Sequence, residues 1–448
     1  MKKLLYVLVL AIGVVVLMTP PAMAQDEKPF TIHGEVRTRG EYLNNTTDFD
    51  DDAGDGGLVW PYRVRLAAEG HFAKNITAWI EFQNASVFGG DFSPFKDGNG
   101  DNDNNFVQGS GAQLYQANIT LGQLWSKNFS LRIGRQEIVA GTELLLGDLD
   151  FYTGISHDGG VGNWKFDKWN LMFWYTRPSE GVGEAGDFGF LPPDQVTMNN
   201  CPSCDTVHFL GAYATWTVAK NQGIDVYLMS LADRDSGANF QTLGGRYSHD
   251  VMGKNGLFWN VELAIQTGQV ESELLSGADI DAGGKVMEGW IGWNFKSGKN
   301  NHRVYARYTS ASGDDDPTDN SLDAFVPLFG DFHNRLGHGD FFQVSGTSTG
   351  LGATADLGIT AMAAGWTGQF GDRSELGAEF WSFATSEKNG AGDDALGTEL
   401  DVFYNYNYSK NMTFSASLSQ LSPDDALTGG AGPDDSITRL YGNARFRF

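Results

Sequence analysis

The chain has 448 residues, with 56 acidic against 31 basic side chains, a formal net charge of -25, 58 glycines and 13% aromatic residues. The acidic balance argues against a nucleic-acid partner, and the polar average argues against a bundle of membrane helices. So many aromatic residues do not suit a disordered chain either, whereas strands that alternate lipid-facing and water-facing side chains would average to this composition.

At the amino terminus Lys2 and Lys3 precede an apolar run from Leu4 to Met18, and Ala22-Met23-Ala24 supplies a small-residue cleavage pattern before Gln25. Residues 1–24 therefore read as a secretory signal peptide and residues 25–448 as the mature chain. No later stretch offers about 18 consecutive apolar residues, so no spanning helix is expected. Export without such a helix leaves the periplasm, the exterior or an outer-membrane barrel.

Alternating segments then follow one another at Phe30 to Tyr42, Trp60 to Phe72, Ile76 to Phe82, Tyr115 to Leu121, Phe129 to Gly134 and Trp169 to Thr176. They continue at Ile224 to Met229, Leu257 to Gln266, Val304 to Tyr308, Leu376 to Trp381, Leu400 to Tyr408 and Thr413 to Leu418. With weaker segments included, roughly 24 residues per strand and connection give about 16 to 18 strands. The expected fold is all-β: one transmembrane antiparallel β-barrel, without a domain boundary, wide enough to keep an aqueous lumen rather than a side-chain core.

Turns built on Lys-Asn recur at Lys74-Asn75, Lys127-Asn128, Lys220-Asn221, Lys254-Asn255, Lys299-Asn300 and Lys410-Asn411. Longer Gly/Asp/Asn-rich stretches lie between them, at 44–57, 89–110, 178–206, 311–340 and 386–397. A rim of short turns opposite a rim of long loops fits outer-membrane polarity, with the short turns facing the periplasm. The last strand alternates Leu440, Gly442, Ala444, Phe446 and Phe448 with Tyr441, Asn443, Arg445 and Arg447. It resembles the terminal strand by which outer-membrane proteins are recognised for assembly, and Tyr441, Phe446 and Phe448 are its candidate signal residues.

Arginines recur at two-residue spacing, which points both members to one face: Arg37 and Arg39, Arg63 and Arg65, Arg445 and Arg447, with Arg303 and Arg307 four apart. Their strand neighbours Val36, Tyr62, Val64, Leu66, Ala444 and Phe446 are apolar, so the guanidinium groups face the lumen. Rings of guanidinium select anions, and their planar forks suit carboxylate or phosphate. Glu35, Glu41, Glu69, Glu81, Glu262 and Asp401 share that surface. A wall of mutually neutralised charge is the competing reading.

Three further groups of residues invite chemistry. Asp97, Asn99, Asp101 and Asp103, like Asp48, Asp50, Asp52 and Asp55, offer hard oxygen ligands for calcium, although solvated loops read as well. Cys201 and Cys204, the only cysteines, sit in a long loop and suit a structural disulfide. There is no Gly-x-Ser-x-Gly elbow, His-Glu-x-x-His pair or phosphate loop, so no catalysis is expected. His157 reads as a loop or lumen residue with ordinary hydrogen bonds, and only the His157-Asp158 pair would serve a barrel enzyme.

The run Leu131-Arg132-Ile133-Gly134-Arg135-Gln136-Glu137, then Gly141, Leu145-Leu146-Gly147, Asp150-Phe151 and His157-Asp158-Gly159, resembles the alginate export family of outer-membrane barrels. Ser310-Ala311-Ser312-Gly313-Asp314-Asp315-Asp316 and Gly397-Thr398-Glu399-Leu400-Asp401 are similar to its later segments. The resemblance implies 18 strands, a monomer, and a basic lumen that passes an anionic uronic-acid polymer or smaller anionic solutes. It places Arg132, Arg135 and Glu137 at the pore wall, with Arg135 and Glu137 paired. The implied partners are outer-membrane lipid and lipopolysaccharide, the barrel assembly machinery, and an anionic saccharide or small anionic solute. A general porin for small hydrophilic solutes and an adhesive barrel with a plugged lumen are the alternatives.

Overall fold

The computed structural model describes residues 30–45, 49–50, 56–88, 112–178, 207–233, 238–251, 253–272, 278–316, 319–344, 346–347, 357–430 and 434–448. The expected signal peptide, the acidic run at Asp97 to Asp103, and Cys201 and Cys204 lie outside them.

Eighteen strands form the barrel. They are β1 (Phe30–Asn44), β2 (Pro61–Ala73), β3 (Ile76–Val87), β4 (Gln113–Gly122), β5 (Phe129–Gln136) and β6 (His157–Lys165). Next come β7 (Trp169–Pro178), β8 (Val207–Ala219), β9 (Gln222–Asp233), β10 (Asn239–His249), β11 (Gly256–Ser272) and β12 (Lys285–Ser297). The last six are β13 (Asn300–Ala311), β14 (Ile359–Phe370), β15 (Ser374–Ala384), β16 (Ala395–Asn407), β17 (Met412–Pro423) and β18 (Ile437–Arg447). Each pairs antiparallel with the next, and β18 returns to β1, so no edge is left open.

The period-two pattern sets the two faces. On β1, Ile32, Val36 and Tyr42 are exposed on the outer wall while Glu35, Arg37, Arg39 and Glu41 are buried inside. All six Lys-Asn turns fall on one rim, that of the short connections, opposite the described loop 137–156. Small residues inside the wall make room for rings from the next strand. A Cβ on Gly244 would stand 2.4 Å from the Tyr227 ring, and one on Gly365 2.5 Å from Tyr305. The two tyrosines therefore lie flat along the wall, with their hydroxyls carried sideways to acids.

The lumen departs from the expected aqueous channel. Residues 137–156, between β5 and β6, and residues 319–344, between β13 and β14, enter the barrel. Ile138, Leu144, Leu145 and Leu146 of the first loop join Phe325, Phe329 and Phe342 of the second in a core against Phe209, Met229 and Trp381 of the wall. The wall presents these apolar side chains inward, and burying them against loops removes them from water. The loops also share backbone hydrogen bonds: Gly147 N–H donates to the Phe329 carbonyl (2.7 Å), Phe329 N–H to Leu145 (3.0 Å) and Asp331 N–H to Glu143 (2.9 Å).

Ion pairs hold the second loop to the barrel. Arg439 of β18 lies between Glu41 of β1 (2.6 Å) and Asp340 of the loop (2.9 Å). Tyr152 of the first loop donates to the same Asp340 (2.6 Å). Glu41 also pairs with Arg39 at 2.8 Å, and all four charged groups are buried. Breaking a buried pair on one side strands the other charge. Glu41→Gln is thus expected to cost about 3–5 kcal/mol, read from urea unfolding of the barrel in lipid vesicles.

Where the loops cross, Glu143, Asp148 and Asp331 bring carboxylate oxygens within 4.8 Å of one another. Burial, then the Glu143 and Asp148 charges, push the Asp331 carboxyl up to about 7, against the opposing His333 N–H and Arg335. Glu143 and Asp148 are raised too, again by burial first. A raised acid favours the neutral form in the docked state, so the loops are held best below the ordinary aspartate value of 3.8. That contribution falls away as pH climbs from there through about 7. Conductance in planar bilayers is expected to rise over this window, and Asp331→Asn should flatten the rise.

Candidate functional site: a basic seam and its counter-charges

Barrel closure brings three arginines to facing positions. Arg37 of β1 is opposite Arg445 of β18 on one side and Arg63 of β2 on the other. One step lower, Glu35 faces both Arg447 and Arg65. Directly opposed like charges destabilise a sheet, so this row needs anions close by. Glu35 supplies one: it accepts from Arg63 Nε (2.9 Å), Arg445 Nε (2.6 Å) and Arg447 Nε (3.1 Å).

The other is Asp150 at the tip of the first inward loop. Its Oδ1 accepts from Arg63 (2.6 Å) and Arg65 (3.0 Å), and its Oδ2 from Arg445 (2.5 Å) and Arg447 (3.4 Å). Burial would raise this carboxyl, but Arg63, Arg65, Arg445 and Arg37 hold it well below the usual carboxylate range. The following carbonyls are used as well. Arg37 donates to the Asp150 and Tyr152 oxygens (2.6 and 2.7 Å), and Arg39 donates to Phe151 (3.1 Å) while lying 4.0 Å over its ring.

The other candidate residues scatter around the wall. Arg132 faces inward and donates to Gln136 and to the Glu137 carbonyl (2.7 Å). Arg303 donates to Asn294 (2.8 Å) and Asp250 (2.9 Å) over the Phe258 ring. Arg307 reaches the Asn334 and Arg335 carbonyls (3.3 and 2.9 Å) and Glu379 (3.9 Å). None of these three bonds the Asp150 carboxylate.

Two expectations need correction. Arg135 does not pair with Glu137: it shares the outer face with Leu131 and exposed Ile133, and forks onto Asp158 through two 2.7 Å bonds. Residues two apart point one way, so a strand that turns Arg132 inward turns Arg135 outward. Glu137 instead accepts from Tyr115 (2.6 Å) and lies 3.6 Å from Arg65. Nor does His157 make ordinary hydrogen bonds. Its ring is fully buried against Phe329 (4.9 Å) and Phe209 (6.0 Å), and neither nitrogen has a partner among the described residues.

Elsewhere on the wall, carboxylates meet tyrosines as well as arginines, and Arg246 pairs with Asp225 (2.5 Å). Tyr213 donates to Asp225 (2.8 Å), Tyr227 to Glu262 (2.9 Å) and Tyr305 to Glu379 (2.5 Å). Glu288 takes both bonds from Arg335 Nη1 of the second loop (2.6 and 2.8 Å). Asp150, Asp340 and Arg439 are the participants that sequence reasoning did not single out for the site. Arg439 was open to it, since steps of two from Arg445 through Asn443 and Tyr441 arrive there. In the terminal strand itself, Tyr441 is buried inside whereas Phe446 and Phe448 are exposed on the outer wall.

The alginate export family model matches residues 28–434. No curated relative matches the chain. Solved structures from Pseudomonas aeruginosa share the fold. OpdQ is 12% identical with a TM-score of 0.62, covering 95% of this chain and 99% of its own. OccK8 (OprE) is also 12% identical at 0.62, covering 94% and 98%. OpdK solved with vanillate is 12% identical at 0.57, covering 93% and 98%. The chain belongs to the alginate export family, and is a channel for anionic solutes in the outer membrane of a Gram-negative-type bacterium.

Proposed function

We propose that the solutes are saccharides bearing carboxylates, uronic-acid units above all, and that they pass along the basic seam of β18, β1 and β2. The observation that carries this reading is the placement of the Asp150 carboxylate between four guanidinium groups. Planar forks with fixed donors match a carboxylate better than they match a spherical anion, and charge-assisted bonds of this kind are about twice as strong as neutral ones. The family's name points to a polyuronate, and the neighbour OpdK was solved with vanillate, itself a carboxylate.

Arg447 is the point of entry from the short rim, since 60% of its side chain is exposed while Arg63 and Arg65 are closed in. No step of covalent chemistry is required. The outward aromatic pair Phe446 and Phe448, with rings 5.9 Å apart, suits recognition by the assembly machinery during insertion.

Arg447→Ala removes an exposed charge at little cost in stability. It should lower the anion-to-cation permeability ratio about two- to threefold, read as the reversal potential of single channels in a salt gradient. An unchanged ratio would take the seam out of the anion path, and a folded barrel without conductance would favour the plugged, adhesive alternative.

A further inference from the structure

We infer that Asp150 is an internal competitor for the carboxylate site of the seam, and that a solute carboxylate takes its place and lifts the 137–156 loop from the wall. This rests on the reading of the seam as a carboxylate path.

The geometry around Asp150 is that of a bound ligand. Two guanidinium groups address each carboxylate oxygen, Arg63 and Arg65 on one and Arg445 and Arg447 on the other, while Arg37 and Arg63 also donate to the Asp150 carbonyl. Positive charge is also in excess. Arg37 is 7% exposed and makes no ion pair among the described residues; its guanidinium donates only to the Asp150 and Tyr152 carbonyls. Such a buried cation is stabilised by any anion that arrives beside it.

One side of the site is open. Arg447 and part of Asp150 remain accessible, so an incoming carboxylate meets Arg447 first and Arg445 next. Besides Asp150, and Glu137 at 3.6 Å from Arg65, the loop offers the seam neutral carbonyls, those of Asp150, Phe151, Tyr152 and Thr153. The exchange replaces one carboxylate by another, which leaves the charge of the seam unchanged. It also solves a problem of passage: with only Glu35 and Glu137 to oppose them, the four arginines would hold a uronate too tightly to release it, and a tethered rival weakens that hold.

The test uses D-glucuronate as probe and D-glucose as neutral control, with binding constants taken from channel-current noise in planar bilayers. Asp150→Asn keeps the size of the side chain and the carbonyl contacts but removes the rival charge. It should bind glucuronate at least about tenfold more tightly than the wild type, with longer residence and no change for glucose. An equal glucuronate constant in a variant that is still anion-selective overturns the competitor alone. Loss of anion selectivity in the wild type overturns the underlying reading instead. If the variant does not fold, hydrogen exchange of the wild type decides: glucuronate should speed exchange at residues 148–155, and unchanged or slower exchange overturns the proposal.

Discussion

Closing this barrel forces Arg445, Arg37 and Arg63 into one row, and much of the interior follows from the need to neutralise that row. Adjacent guanidinium groups on three strands repel one another, and β1 itself supplies only Glu35 and Glu41 as counter-charges. Another anion comes from elsewhere in the chain, Asp150 from the loop after β5, while Asp340 from the loop after β13 meets Arg439 further along β18. Both loops come inside. Once there, they cover the apolar inner faces of β8, β9 and β15, and their own leucines and phenylalanines complete a core that a hollow barrel would lack.

Arginines line the seam, and from β9 to β15 acids are held by tyrosine hydroxyls and by Arg246 and Arg335. The tyrosines can reach those acids because glycines on neighbouring strands leave flat ground for the rings, as Gly244 does for Tyr227. Local composition and long-range electrostatics thus meet in the same side chains. Much of the buried charge is compensated in place, and Arg447 keeps the most open face of the network.

The barrel was legible wherever aromatic or branched residues alternate with polar ones, as on β1, β2, β11 and β17. It was hard to see in β6, β10 and β14, where glycine and alanine stand at inward or outward positions and carry no hydrophobic signature. Those strands are fixed by their neighbours' rings, and that information is not local. The lumenal direction of Arg37, Arg63 and Arg445 followed from two-residue spacing. The same rule, applied to Leu131 and Ile133, would have turned Arg135 outward. The role of Asp340 was not legible, because a Gly/Asp-rich loop reads as solvated whether it runs outward or folds into the barrel, and Asp150 stood out only as part of the family resemblance, without a partner. Only the closed ring of strands creates the field that draws those carboxylates in.

The seam is built from the two ends of the chain, with Glu35 and Arg447 separated by 412 positions. No segment shorter than nearly the whole barrel can assemble it, so the charges that bind the loops do not exist as a cluster until the last hairpin has zipped to the first strand. Asp150 therefore meets its full set of arginines only once that closure is made, although Arg335 of the second loop has its Glu288 on β12 independently of it. A barrel with its seam unzipped would differ from the finished one in permeability as well as in strand pairing, so completion of the wall and control of the pore are a single event.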